Sequence, residues 1–523
     1  MNGTFRQSMT WLHTWTGLIL CWLLYFVFVT GTLGYFDTEI DLWMSPETPV
    51  QKASDPVANI RLGQARLAEV APDSERWFIY PNQSRNRPHM GVGWLEKDPE
   101  TGNNVFHGEN LDSQSGQPLP DARDTGGGQL LYRMHYLLHY FPNRIGYWLV
   151  AFATMLMFVG MITGIIAHKK IFKDFFTFRW AKGSRSWLDA HNLLSVSTLP
   201  FQLMITYSGL LYTLGLFWMP LVVLGGYGFD MDKVRGLQDI LGVEQVEKAN
   251  EAAPLVAIEG LVTDAADSPQ GDQINLVIID FPGDANSEVS FVMDGIGRTG
   301  GENFAYNGAS GERLDKPGLE LPNASAKFAL SMIDLHEGTF AGPFLRWLYF
   351  LAGLMGTAMI ATGAIYYVQS RKRKTEASHP GFGFRLVECM NAATIAGLLT
   401  AIGVFYLSNR LLPLGMENRA EWEVHCMFLA WAACFVHAAV RQREFVWSEQ
   451  LYALAAVYLI LPVINAMTTQ AHLGNSLPAG DWILAGFDLM ALATGLIALA
   501  LGLKLRPRRE QEAQVVSADV AVQ

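Results

Sequence analysis

The chain has 523 residues, of which 50% are apolar, 12% aromatic and only 17% charged, with a formal net charge of −11. Soluble domains carry about 25% charged residues, so this composition excludes an ordinary soluble protein. The negative charge sits mainly on two long polar segments and offers no argument for a nucleic-acid partner.

Eight apolar runs, each of about 20 residues and so long enough for a bilayer core of roughly 30 Å, lie at about 11–36, 144–168, 188–219, 344–368, 385–407, 422–440, 449–468 and 482–503. They describe an all-α polytopic membrane protein. The first span closes the stretch 1–36 and carries one ionisable residue, His13, near its start. Its apolar run is too long for a signal peptide and no A-x-A-like site follows, so it reads as a retained anchor. The segment 37–142 comes next; 60–71 has helical periodicity, and "RWFIY" and "MGVGWL" read as strands. Residues 143–219 hold spans two and three around a basic loop, and 220–342 is the second long segment. Each long segment is expected to form a small α+β domain. Span four occupies 343–374, an appended four-helix membrane domain 385–503 and a tail 504–523.

Lys and Arg set the orientation. The loop "HKKIFKDFFTFRWAKGSR" holds six, "QSRKRKTE" four, "VRQRE" two and "KLRPRRE" four. Eight spans put all of these on one side and both long segments on the other. The positive-inside rule makes the basic side cytoplasmic, with both termini there. Cys21, Cys389, Cys426 and Cys434 all lie inside predicted spans, so no disulfide framework supports the exported segments.

The first two-thirds of the chain read as an internal repeat. His13 precedes Gly31 of "VTGTL" by 18 residues, and His191 precedes Gly209 of "YSGLL" by the same 18. A small residue, Gly17 or Ser195, follows four positions after each His, on the same helix face. His135 stands seven residues before Pro142 and His336 seven before Pro343. A Trp follows each proline (Trp148, Trp347), and each span closes on Thr-Gly, Thr163-Gly164 and Thr362-Gly363. The repeating unit is helix, exported domain, helix, which gives a four-helix core bundle with His residues inside it.

Ionisable residues in spans are costly and point to function; hydrogen bonding by His at helix ends is the plainer alternative. Zinc and copper centres want three or four clustered ligands, whereas the repeat supplies His one per helix. Two neutral imidazoles facing across a bundle suit the axial positions of a haem iron. His13 with His191 would hold a haem on the cytoplasmic side, and His135 with His336 one on the exported side. His139, one turn from His135, is the alternative outer ligand, and His168 ranks third for the inner site. Asp189 and Glu337 are candidates to hold an imidazole N–H, or are solvated helix-end charges. In the appended domain, His425 and His437 are twelve residues apart and cannot share a metal, while His425 with His472 leaves room for a third haem.

The stretches "LHTWTGLILCWLLYFVFVTGTLGYF", "MHYLLHYF…IGYWLV…MITGIIAHKKIFKDFFTFR", "WLDAHNLLS…LPFQLMITYSGL" and "LHEGTF…TG" resemble the PepSY-associated transmembrane family over roughly residues 5–375. That family includes iron-regulated inner-membrane proteins and ferric-siderophore reductases. The resemblance implies a bacterial inner-membrane, haem b-containing reductase acting on ferric siderophores or other iron chelates in the periplasm. The long segments then look like divergent PepSY domains, and His13, His135, His191 and His336 occupy the family's His positions. The four extra spans depart from the minimal form. No G-x-G-x-x-G follows a predicted strand, so the electron donor is expected to be a separate protein, quinol or a reduced carrier. Two other readings stand beside this one. The first is a non-enzymatic PepSY regulator of exported peptidases. The second is an iron-uptake transporter, for which spans five to eight show few mid-membrane polar residues beyond Asn465 and Asp488.

Overall fold

The computed structural model describes residues 4–507 except 49, 52–53, 86, 99–101, 169–174, 176–177, 227–245, 263–273, 294–302, 315–323 and 377–380. Part of the basic loop before span three, 169–174 and 176–177, therefore lies outside the described residues. The chain divides into two compact units, one built from Met1–Pro46, Ala122–Leu210 and Gly342–Gln523, the other from Glu47–Asp121 and Leu211–Ala341.

The first unit is helical. Helix α1 (Phe5–Gly34) opens with a capping box, in which Gln7 Oε1 accepts the Thr4 N–H at 2.7 Å and the Thr4 hydroxyl faces the Gln7 N–H. It runs into α2 (Asp37–Met44). After the excursion into the second unit come α4 (Gly127–Leu137), α5 (Asn143–Ala167), α6 (Ser184–Ser197), the start of α7 (Leu199–Gly226), and α9 (Pro343–Glu376). Helix α1 packs on α5 and α9, and α6 packs on α9, around a core that includes Leu24, Val27, Ala153, Met157 and Ala361. The chain then continues through α10 (Phe382–Ile395), α11 (Gly397–Leu411), α12 (Arg419–Val440), α13 (Arg443–Thr468), α14 (Leu473–Ala479) and α15 (Trp482–Leu505).

Among the described residues seven helical stretches are long and apolar enough to cross a membrane, and an eighth is a bent pair. The third span, expected to run unbroken over 188–219, instead turns by 69° between α6 and α7. Pro200 explains the break: it has no N–H to give the preceding turn, and its ring crowds the carbonyl four residues back. The chain is a multi-pass membrane protein of mostly helical structure.

A buried polar network fastens α10–α15 to the chain around residues 43 and 123–126. Arg419 and Glu423 are 0% exposed and pair at 2.5 Å. Glu423 also accepts the Thr125 hydroxyl at 2.7 Å and the Gly126 N–H at 3.1 Å. Arg410 donates to Asn465 at 2.8 Å and to the Trp43 carbonyl, and its guanidinium lies 3.8 Å above the Trp43 ring. Trp43 Nε1 in turn reaches Asp488 at 3.0 Å. Two buried cations thus meet two buried carboxylates with their remaining hydrogen-bonding groups largely occupied, the condition under which buried charge is tolerated. The network fixes the start of α4. There the Asp41 carboxylate accepts the Gly128 N–H at 2.7 Å, and burial pushes that carboxyl up to about 6.

The second unit holds a seven-stranded antiparallel sheet in the order β3-β2-β1-β4-β5-β6-β7, formed by β1 (Arg76–Tyr80), β2 (Met90–Lys97), β3 (Asn104–Leu111), β4 (Ile274–Asp280), β5 (Glu288–Met293), β6 (Asn303–Asn307) and β7 (Arg313–Leu314). Alternation places Trp77 and Ile79 inward. Helix α3 (Pro56–Val70) covers them, and it approaches so closely that a Cβ on Gly63 would lie 2.7 Å from Ile79. The expected two α+β domains are thus one sheet. Two meanders, one from each long segment, join where Trp77 pairs with Ile279 and Phe78 with Ile278. Each meander alone would leave an unpaired edge, and pairing β1 with β4 removes both edges. Helix α8 (Ala324–Glu337) closes this unit.

Candidate functional site

In the helical unit, His13 comes from α1 and His191 from α6, and their ring centroids lie 6.3 Å apart with planes tilted by 55°. Each ring is held by a carbonyl of a neighbouring helix: His13 Nδ1 lies 2.8 Å from Gly160 O of α5, and His191 Nδ1 lies 2.8 Å from Met359 O of α9. A carbonyl can only accept, so each Nδ1 carries a proton, and in the neutral ring the free lone pair is then on Nε2. This is the state in which imidazole ligates a metal, with the second nitrogen oriented by a backbone partner.

Four residues beyond each carbonyl stands a glycine. A Cβ on Gly164 would sit 3.0 Å from His13 Cε1, and one on Gly363 would sit 3.1 Å from His191 Cε1. The preceding threonine bonds the same turn: Thr163 Oγ1 donates to Val159 O at 2.8 Å and Gly160 O at 3.0 Å, and Thr362 Oγ1 to Ala358 O and Met359 O at the same distances. The Thr-Gly pair is therefore a seat, with the hydroxyl bracing the turn and the glycine leaving space for the ring.

His135 uses the same seat on α1. Its Nδ1 lies 2.8 Å from Val27 O, Thr30 bonds Phe26 O and Val27 O, and a Cβ on Gly31 would come within 2.4 Å of Nδ1. His135 sits on α4, outside the spans, and burial holds its imidazole below the usual histidine range, favouring the neutral form. A fourth step, Ser208-Gly209 on α7, carries the matching hydroxyl bonds, to Met204 O at 2.7 Å and Ile205 O at 3.2 Å.

The remaining candidates have other partners. His139 Nε2 pairs with Glu421 at 3.1 Å, and its ring meets those of Tyr140 and Phe428. His168 lines the same cavity as His13 and His191, and Asn192 Nδ2 donates to its Nε2 at 3.1 Å. His336 belongs to the second unit, at the end of α8, with its ring 6.0 Å from that of Tyr212. His425 Nδ1 is 2.6 Å from the Tyr140 hydroxyl, His437 pairs with Glu449 at 2.8 Å, and His472 caps α14 through the Gly474 N–H. Of the two suggested carboxylates, Asp189 takes a two-pronged bond from Arg179, and Glu337 accepts the Tyr212 hydroxyl. Backbone carbonyls orient the seated rings of His13, His135 and His191. The repeated Thr-Gly pairs were the only sequence signal of it.

Around His13 and His191 lies a cavity of about 730 Å³, within the range of sites for cofactor-sized molecules. Gly17, Gly160, Gly164, Ser195 and Gly363 form much of its wall, with Arg6 and Arg371 also lining it. A haem fits these residues. Two imidazoles on opposite sides of one ion, at metal–nitrogen bonds of about 2 Å, have centroids roughly 6 Å apart. The small wall residues leave room for a flat ring, and the two guanidiniums suit its carboxylates. Among the described residues no three His, Cys, Asp or Glu side chains are placed to hold a metal ion, so the paired imidazoles are the metal-binding feature on offer.

A model of the PepSY-associated TM region matches residues 10–370 of the chain. No curated protein matches it.

Proposed function

We propose, for a chain that belongs to the PepSY-associated TM family, that it is a di-haem electron-transfer protein of the bacterial inner membrane. It would carry electrons from the cytoplasmic side to the periplasm and reduce ferric siderophores or related iron chelates there. The observation that supports this best is the His13–His191 pair, with both rings seated in the ligating tautomer inside one cavity. His135, which shares the carbonyl-and-glycine seat, is assigned to the second haem.

His13 and His191 would hold a haem, which would supply one-electron redox chemistry. The chain's own residues do the rest. Gly160 and Met359 carbonyls fix ring orientation, and Gly164 and Gly363 set how closely each ring packs. With His13 and His191 both engaged as its ligands, the group would supply electron transfer, and substrate would be bound elsewhere. The ferric chelate is then reduced outside the helical core, and Fe(II) leaves hard oxygen donors more readily than Fe(III).

Reconstitution tests this reading. Vesicles enclosing a reductant, with a ferric hydroxamate and an Fe(II)-trapping chromophore outside, are expected to form the coloured ferrous complex only when they contain the protein, and not when they contain His191→Ala. Colour no faster than in protein-free vesicles would contradict it.

A further inference from the structure

A second cavity, of about 490 Å³, opens on the other side of α9. On that helix Gly363, Tyr366, Tyr367 and Ser370 line the His13–His191 cavity, whereas Ile365, Val368, Gln369 and Lys372 line the second. At 3.6 residues per turn these sets fall on opposite faces, so one helix, about 10–12 Å across, separates the two spaces. Asn391 of the second cavity donates to Ala364 O at 2.9 Å, one residue past the His191 seat, and accepts the Trp22 indole of α1 at 2.9 Å.

The lining is mixed. Ile365, Val368, Val446 and Trp447 are apolar, while Lys372, Arg385 and Arg443 bring positive charge. Glu388 is held by Arg443 at 2.5 Å through Oε1, and its Oε2 is buried with no hydrogen-bond partner among the described residues. A buried carboxylate oxygen without a donor asks for one from a ligand. An anionic headgroup would meet that oxygen as a like charge. A neutral ligand with a hydroxyl and a flat apolar body satisfies both the oxygen and the walls. The site lies at the ends of α9 and α12 and the starts of α10 and α13, where a lipid-soluble molecule can arrive from the bilayer.

We propose that this cavity binds a quinol and is where electrons are supplied, an inference that rests on the redox reading above. One quinol becomes quinone, giving up two electrons and two protons, and two ferric chelates take one electron each. One hydroxyl proton passes to Glu388 Oε2 and the other to water at the rim beside the exposed Gln369 and Glu444.

The test uses the full-length protein in nanodiscs, with decylubiquinol as reductant and a photoreactive azidoquinone as label. The azidoquinone is expected to mark peptides containing 365–372 and 442–447, with decylubiquinone competing. Glu388→Gln is expected to slow reduction of the protein by quinol roughly 100-fold, the low end of what one placed proton acceptor contributes, and to leave reduction by dithionite unchanged. Gln369→Trp, which narrows the rim without touching the core, is expected to weaken labelling. Labelling elsewhere, labelling displaced by anionic lipid but not by quinone, or an unaltered quinol rate in Glu388→Gln would overturn the quinol site. A protein that dithionite cannot reduce would overturn the redox reading itself.

Discussion

Changing His191 to alanine is expected to lower bound haem from about two per chain to about one, with the remaining haem still six-coordinate. His168 lines the same space, but Asn192 already donates to one of its ring nitrogens, Nε2. His13→Ala is expected to give the same loss, because the two rings face each other and one ligand without its partner leaves an open axial position. His139→Ala is the contrasting variant: its ring is drawn to Glu421, so haem content should stay at the wild-type level. Haem quantified per chain, together with the reduced absorption spectrum, checks all three. A wild-type spectrum from His191→Ala would remove the inner pair.

The second large effect is expected from the seats. Gly31→Ala places a methyl carbon 2.4 Å from His135 Nδ1 and 2.6 Å from Cε1. Atoms cannot share that space, so either α4 moves or the ring leaves Val27 O. Overpacking of this kind costs about 1–3 kcal/mol, yet the site should suffer more than the fold, since the bond being broken orients the ligand. Gly31→Ala is therefore expected to lose the His135-dependent haem and keep the His13–His191 one. Gly363→Val should do the opposite, because the added carbons enter a contact already at 3.1 Å from His191. Thr30→Val supplies the control of shape without the hydroxyl and should give a mild loss. If Gly31→Ala and Gly363→Val both retain full haem, the glycines are only packing residues.

The features legible in the sequence are those written in side chains. Apolar run length gave the spans, and an 18-residue spacing selected His13 and His191, whose rings do meet. The features that were not legible belong to the backbone or to distant pairing. A carbonyl acceptor such as Met359 O has no residue signature, so the sequence offered only carboxylates near the rings, Asp189 and Glu337, either as N–H acceptors or as solvated helix-end charges. Asp189 is held by Arg179, and Glu337 accepts the Tyr212 hydroxyl. The junction of β1 with β4 joins residues some two hundred positions apart, and alternation within a strand says nothing about which strand lies beside it. Pro200 was visible, but its effect on span three depends on whether neighbours restore the lost hydrogen bond; here the helix bends by 69°. The role of Arg410, Arg419 and Glu423 also emerged only in three dimensions, because their partners Trp43, Thr125 and Gly126 lie nearly three hundred or more residues away.

One absorption measurement bears on the central claim most directly. The detergent-purified protein, from haem-replete cells, is recorded oxidised and then reduced by dithionite, with haem counted per chain. The expected result is a sharp reduced spectrum of six-coordinate b-type haem at about two per chain; a count near three would bring in His425 and His472. A colourless protein would contradict the account, leaving the seated histidines as structural hydrogen-bond donors and the chain as a PepSY protein without redox chemistry.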